Sequence, residues 1–246
     1  MRVCGRNQGA KKLKSIRIKG FQGTSLLDFP GRVASLVFTG HCNLTCPFCH
    51  NAGLVLDPES YPDYPLDELL ADLKKREGFI DGVVISGGEP TIDAGLPAFV
   101  SLLKERGLQV KLDSNGLAPD VISALLEQQL VDYYAIDIKT SLNRYNELHT
   151  MPVAIEALRK TVAILKQASV EVEFRTTCIP PLVAAPEIDA MGELLQGASL
   201  WVLQQYVPLH AMIEEWQHLD AYHPQRLYEL AEQAGKYVDQ VQVRGI

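Results

Sequence analysis

The chain has 246 residues, 47% hydrophobic and 22% charged, enough for one sizeable core. Thirty acidic residues against 23 basic ones leave a formal charge of -7, which argues against a general nucleic-acid surface or a basic face lying on a membrane. No apolar run approaches the roughly 20 residues of a bilayer span, and the N-terminus lacks the apolar stretch of a signal peptide, so a cytoplasmic protein is expected.

Residues 1–14 carry Arg2, Arg6, Lys11, Lys12 and Lys14 without an acid and read as a flexible basic tail. Residues 15–246 read as one domain, because no repeat, low-complexity tract or linker divides them. From Ser15 the chain alternates as a strand. After the Pro30-Gly31 turn, Val33 to Thr39 reads as a buried strand. Leu66, Leu69, Leu70 and Leu73 fall at helical spacing, with Asp67 and Glu68 in the first turn, which predicts a helix to Arg76. Val83 to Ile85 is a short buried strand. Helices are then predicted near Leu96–Arg106, Pro119–Gln128, Val153–Gln167, Glu187–Leu195 and Pro224–Lys236. Strands are predicted at Gln109–Leu112, Val131–Ile138, Val170–Thr177, Leu200–Tyr206 and Val241–Val243. Alternating strands and helices with nearly continuous apolar strands imply parallel pairing with right-handed crossovers. A complete eight-unit barrel takes roughly 250 residues. Six units with short terminal extensions, an α/β partial (β/α)6 TIM-like barrel, is therefore the expected fold.

In such folds ligands bind at the carboxyl ends of the strands, and the unusual polar motifs all fall there. After the first barrel strand comes Gly40-His-Cys-Asn-Leu-Thr-Cys-Pro-Phe-Cys-His50, placing Cys42, Cys46 and Cys49 within eight residues. Three thiolates on one short loop can ligate three irons of a [4Fe-4S] cube and leave the fourth iron open. The alternative is zinc completed by His50 or His41, but each histidine adjoins a cysteine and has difficulty turning inward with it. A disulfide framework does not suit an odd count of five cysteines with three of them clustered in this way. After the second strand stands Ser86-Gly-Gly-Glu-Pro90, whose glycines let backbone approach a ligand closely. The third strand ends in Lys111-Leu-Asp-Ser-Asn-Gly116, and the fourth in Ala135-Ile-Asp-Ile-Lys139. Asp137 and Lys139, two apart, share one strand face. Asp113 and Asp137 should face one cavity, a costly arrangement unless a cation or polar ligand satisfies it.

This ordered set resembles the radical S-adenosylmethionine superfamily, and within it the activating enzymes of glycyl-radical enzymes, most of all the anaerobic ribonucleoside-triphosphate reductase group. Gly20-Phe-Gln-Gly-Thr-Ser-Leu-Leu-Asp-Phe-Pro30 is similar to that group's opening segment, and the likeness runs over about residues 16 to 180. The resemblance implies that Cys42, Cys46 and Cys49 hold a [4Fe-4S] cluster whose fourth iron binds S-adenosyl-L-methionine. It implies that carbonyls around Gly87, Gly88 and Glu89 receive the methionine ammonium, that Lys139 pairs with its carboxylate, and that Phe48 packs near the adenine. Asp113, Ser114 and Asp137 match positions around a monovalent cation or the ribose, with Arg175 and His210 as further cofactor contacts. Reductive cleavage to a 5'-deoxyadenosyl radical, and hydrogen abstraction from a backbone glycine of the partner enzyme, are the implied chemistry. Cys4 and Cys178 are too few and too far apart for a second cluster, so an external electron donor such as flavodoxin or ferredoxin is expected. Two other readings are a small-molecule radical enzyme of the 7-carboxy-7-deazaguanine synthase kind and a non-catalytic iron-sulfur or zinc protein. The second of these leaves the glycine-rich turn and the Asp137/Lys139 pair without a purpose.

Overall fold

A computed structural model of the protein describes residues 16–246, so the expected basic tail and Cys4 lie outside the described residues. The chain opens with strand β1 (Ile18–Ser25) and strand β2 (Ala34–Thr39), followed by helices α1 (Ala52–Leu56) and α2 (Leu66–Lys74). It then alternates through β3 (Gly82–Gly87), α3 (Leu96–Lys104), β4 (Gln109–Ser114), α4 (Pro119–Glu127), β5 (Tyr133–Asp137) and α5 (Ile155–Leu165). The remainder is β6 (Glu171–Cys178), α6 (Ala185–Leu195), β7 (Leu200–Gln205), α7 (Glu214–Gln217), α8 (Pro224–Ala234) and β8 (Gln240–Arg244). Short 3-10 turns at Pro58–Ser60, Pro90–Ile92, Leu142–Leu148 and Pro208–His210 punctuate the loops at the carboxyl ends of the strands.

The strands form one sheet in sequential order from β1 to β8. β1 pairs antiparallel with β2, and every later pairing is parallel. Sequential order without a reversal is the winding of a barrel, not of a doubly wound sheet. The expected six β/α units run from β2 to β7. β8 adds a seventh parallel strand beyond them, and β1 is the antiparallel extension at the other edge. Among the described residues β1 and β8 are not paired with each other, so the barrel is partial.

Helices form where the sequence alternates at helical period. Leu69 and Leu73 of α2 are buried, as are Leu96, Phe99, Val100 and Leu103 of α3. These stripes cover the outer face of the sheet, joining Val37, Ile85, Leu112 and Ile136 in the main core. A second, smaller cluster of Phe29, Ala34, Leu36, Val84, Tyr133 and Ala135 fills the strand beginnings on the other face. Along that inner face the residue types change: Ala135 precedes Asp137 on β5, and Lys111 precedes Asp113 on β4. The inner face is therefore apolar near the strand starts and charged at their carboxyl ends. Among the described residues no helix is long and apolar enough to cross a membrane.

Candidate functional site

The loops after β2, β3, β4, β5 and β6 enclose a cavity of about 240 Å³. Cys42, Cys46, Cys49 and Phe48 line it from the loop after β2, and Gly87, Gly88 and Glu89 from the exit of β3. Asp113, Ser114 and Asn115 come from β4, Asp137 and Lys139 from β5, and Arg175 and Thr177 from β6. Twelve of the thirteen residues expected from the sequence thus meet in one place.

His210 is the exception. It lies on the exposed 3-10 turn Pro208–His210, outside the cavity lining, with its ring edge-on to His50 at 6.3 Å between centroids. The chain leaves the sheet at Gln205, and the turn carries His210 to the surface. His50 lines the cavity instead, its Nε2 in hydrogen-bond contact with the Val207 carbonyl at 2.8 Å.

The cysteine loop is held from several sides. His41 adopts a left-handed conformation (φ 61°) at its start, and its carbonyl accepts from Glu89 N–H at 2.8 Å. Thr45 N–H donates to Leu148 O, Ile213 N–H donates to Pro47 O, and Cys49 N–H donates to Cys46 O. Phe48 stacks on Trp216 with centroids 6.3 Å apart, and the Lys139 Nζ lies 5.8 Å from its ring centre. Burial pushes the Cys42 thiol up to about 12 and the Cys46 thiol up to about 11, and raises Cys49 as well. These thiols are neutral near pH 7, so loading a metal must displace their protons.

Two thiols are close to N–H donors, as iron-sulfur ligands commonly are. Leu44 N–H donates to Cys42 Sγ at 3.4 Å, and Asn51 N–H faces Cys49. Among the described residues no group of three or more His, Cys, Asp or Glu side chains is arranged to hold a single metal ion. A cube takes one thiolate at each of three corners and does not need its ligands gathered on one point. The zinc alternative needs its ligands gathered on one point, and no such gathering is found among the described residues. The donor set fits the cluster.

The exit of β3 requires glycine. A Cβ on Gly88 would stand 1.8 Å from His41 O, and Gly87 has φ +111° with Thr39 backbone 2.4 Å from its would-be Cβ. Gly88 N–H donates to Thr39 O at 2.9 Å, and the Gly87 carbonyl accepts from Asn51 Nδ2 at 2.7 Å. The Glu89 side chain is turned into the protein, 1% exposed. Its Oε1 accepts from Thr91 N–H at 3.1 Å, Thr91 Oγ1 at 2.5 Å and Ser114 Oγ at 2.8 Å, while Oε2 accepts from Asn115 N–H at 2.7 Å. Burial raises the Glu89 pKa, and the four hydrogen bonds pull the other way. Glu89 and Ser114 are thus the clasp between the ends of β3 and β4, a use that their motifs alone did not suggest.

On the far wall, the pairing of β5 with β6 sets Asp137 opposite Arg175. The Arg175 guanidinium donates to Asp137 Oδ1 at 2.9 Å and Asp113 Oδ2 at 3.1 Å, bridging both carboxylates. Lys139 Nζ donates to Asp137 Oδ2 at 3.2 Å, and buried Lys111 pairs with Asp113. Burial alone would raise the Asp137 pKa, but Arg175 and Lys139 bring it down to about 2. Asp113 is held low by the same kind of balance with Arg175 and Lys111. Lys139 is held above its usual range: burial opposes its charge, but Asp137 and nearby thiols more than offset that. Lys111 was visible only as a letter in a motif, and Asn51, Asn115 and Thr177 carried no expectation. The signal for Asn115 was its place directly after a strand end beside Asp113 and Ser114.

A family model described as "Radical SAM superfamily" matches residues 36–186. The chain is 32% identical over 234 residues to a Methanocaldococcus jannaschii protein named "Putative glycyl-radical enzyme activating enzyme", covering 93% of this chain and 96% of that one. It is 24% identical to a pyruvate formate-lyase-activating enzyme of Listeria monocytogenes, covering 85% of this chain and 88% of that one. Among solved structures, Streptococcus suis SuiB bound to the precursor peptide SuiA is similar with a TM-score of 0.64 at 14% identity. That match covers 85% of this chain and 48% of SuiB, so the chain spans about half of that protein and the likeness bears on the fold.

Proposed function

The chain belongs to the radical S-adenosylmethionine superfamily, and we propose that it activates a glycyl-radical enzyme, with anaerobic ribonucleoside-triphosphate reductase as its partner. The likeness over nearly the whole length of a relative bearing the activating-enzyme name supports the activity. The opening segment Gly20–Pro30 supports the reductase as partner. The observation that carries the reading is the meeting of three thiols, a glycine-only turn and the Asp137/Lys139 pair on one cavity.

In this reading residues 15–246 are one catalytic core acting in the cytoplasm. Cys42, Cys46 and Cys49 would hold a [4Fe-4S] cluster, which when reduced supplies one electron for the cleavage of bound S-adenosyl-L-methionine. Backbone carbonyls of the Gly87-Gly88-Glu89 turn would orient the ammonium of that molecule, and Lys139 its carboxylate. Phe48, braced by Trp216, would limit the adenine, while Ser114, Asp113 and Asp137 would border the ribose. Arg175, Lys111 and Lys139 already meet the charge of Asp113 and Asp137. A monovalent cation there would therefore have to compete with the Arg175 guanidinium for the same oxygens. The electron would come from an external flavodoxin or ferredoxin. The acidic chain is not suited to nucleic acid.

Anaerobically reconstituted protein given reductant and S-adenosyl-L-methionine should release 5'-deoxyadenosine, and Cys46→Ala should release none. Equal release from the variant refutes the assignment of the cysteines. Mixing with the partner reductase should give a glycyl-radical signal in electron paramagnetic resonance. Stoichiometric consumption of a small metabolite without any protein partner would overturn the activase reading in favour of a small-molecule enzyme.

A further inference from the structure

We propose that Asn115 is a positioning residue that tunes the metal centre: its carboxamide donates a hydrogen bond to Cys42 Sγ and thereby raises the reduction potential of a cluster bound there. The inference rests on the cluster reading above and goes beyond it, because it assigns one cysteine a distinct electronic environment.

Asn115 lies one residue past β4 and is 4% exposed. Its side chain is oriented by its own neighbours. Oδ1 accepts from Leu117 N–H at 3.1 Å, so the carbonyl end faces Leu117 and the NH2 end faces the cysteine loop. A carboxamide nitrogen has two N–H donors, and both find partners here. One is Asn43 Oδ1 at 2.6 Å, and the other is Cys42 Sγ at 3.8 Å. Among the described residues, Cys42 receives a side-chain N–H donor and Cys46 and Cys49 do not.

The donor is also anchored from behind. Asn115 N–H donates to Glu89 Oε2, and Glu89 Oε1 is held by Thr91 and Ser114. Glu89, Asn115 and Cys42 therefore form a continuous path from the exit of β3 through the exit of β4 to the cysteine loop. A donor fixed in this way keeps its distance to sulfur. Hydrogen bonds to cluster sulfurs stabilise the added negative charge of the reduced state, so they raise the potential. The effect matters for a protein that takes its electron from outside, because the donor's potential limits the fraction of centre that is reduced.

The test is a redox titration of the reconstituted protein without S-adenosyl-L-methionine, followed by electron paramagnetic resonance. Asn115→Ser keeps an oxygen near Leu117 N–H and lacks the reach to Cys42. It should lower the reduction equilibrium about tenfold at a fixed donor potential, about 59 mV for a one-electron couple. Asn43→Ala removes the tie between loop and β4 but spares the bond to sulfur, and it should titrate with the wild type. Equal potentials in wild type and Asn115→Ser, both with full iron content, overturn the inference while leaving the cluster reading intact. Equal shifts in Asn43→Ala and Asn115→Ser overturn it in favour of a mere loop tie. Loss of the cluster from Asn115→Ser and from Asn115→Asp, each folded by circular dichroism, overturns it in favour of a structural role. Failure of the wild type to incorporate four irons refutes the cluster reading itself.

Discussion

Gly88→Ala is a stringent check on the cavity wall, because the added atom meets backbone and no side chain can move aside. The new Cβ would stand 1.8 Å from His41 O and 2.7 Å from His41 C. Ordinary contact begins near 3.4 Å, so the two segments must part by about 1.6 Å. Such a displacement breaks both hydrogen bonds that join them, Gly88 N–H to Thr39 O at 2.9 Å and Glu89 N–H to His41 O at 2.8 Å. Two net hydrogen bonds at about 1 kcal/mol each, with about 1–3 kcal/mol for overpacking, amount to about 3–5 kcal/mol. For a chain of this length that lowers the melting temperature by roughly 10 °C. Urea and thermal unfolding of the metal-free protein measure it, with Gly20→Ala as the control. At Gly20 the nearest atom to a new Cβ is Phe38 Cδ2 at 3.4 Å, so that variant should match or slightly exceed the wild type. A Gly88→Ala protein within about 1 kcal/mol of wild type would refute the close backbone approach and, with it, the reason for two glycines in the turn.

Two further outcomes follow from the charges behind the cavity. Glu89→Ala deprives four donors of their acceptor in a dry setting and should cost about 3–5 kcal/mol in urea unfolding. A loss under about 1 kcal/mol would show that water fills the place and that the clasp between β3 and β4 is unimportant. Asp137 is depressed from 3.8 to about 2 in the folded protein. Its folded pKa lies below the unfolded value, so its contribution is complete above about pH 4 and disappears as the pH falls through about 2. That contribution is about 2 kcal/mol, and Asp137→Asn should flatten the acid limb of stability between those pH values in the metal-free protein. An unchanged acid limb would mean that Arg175 and Lys139 do not hold the carboxylate.

What the sequence disclosed about the site was set by local periodicity. Parallel strands carry motifs at their carboxyl ends, and i, i+2 parity is readable from letters alone, so Asp137 and Lys139 could be put on one side and Ile136 and Ile138 on the other. The structure agrees: the first two line the cavity and the isoleucines enter the core. Relations between strands were not legible, because they depend on register. Arg175 was named only as a cofactor contact implied by the resemblance, and its place opposite Asp137 emerged with the pairing of β6 with β5. Lys111 beside Asp113 was within reach of the same parity argument, because the two stand two apart on β4. The use of the Glu89 side chain was hidden for the same reason as the place of Arg175: its direction depends on where Ser114 and Asn115 stand on the next strand. The short pieces Ala52–Leu56, Leu142–Leu148 and Glu214–Gln217 also escaped, since elements this brief are stabilised by what they touch, as Ile213 touches Pro47.

His210 shows the limit of the strand-end rule. It assumes that a residue following a strand stays over the barrel mouth, and this holds for Asn115 one residue past β4 and for Lys139 two past β5. His210 is five residues past β7, beyond a 3-10 turn that begins at Pro208, and by then the chain has reached the surface. The inference from motif to site weakens with each residue that is not tied back to the sheet. Asn115 is tied back by three hydrogen bonds, to Glu89, Leu117 and Asn43. That is why Asn115 reaches a thiol, while His210 meets the ring of His50 from outside the cavity lining.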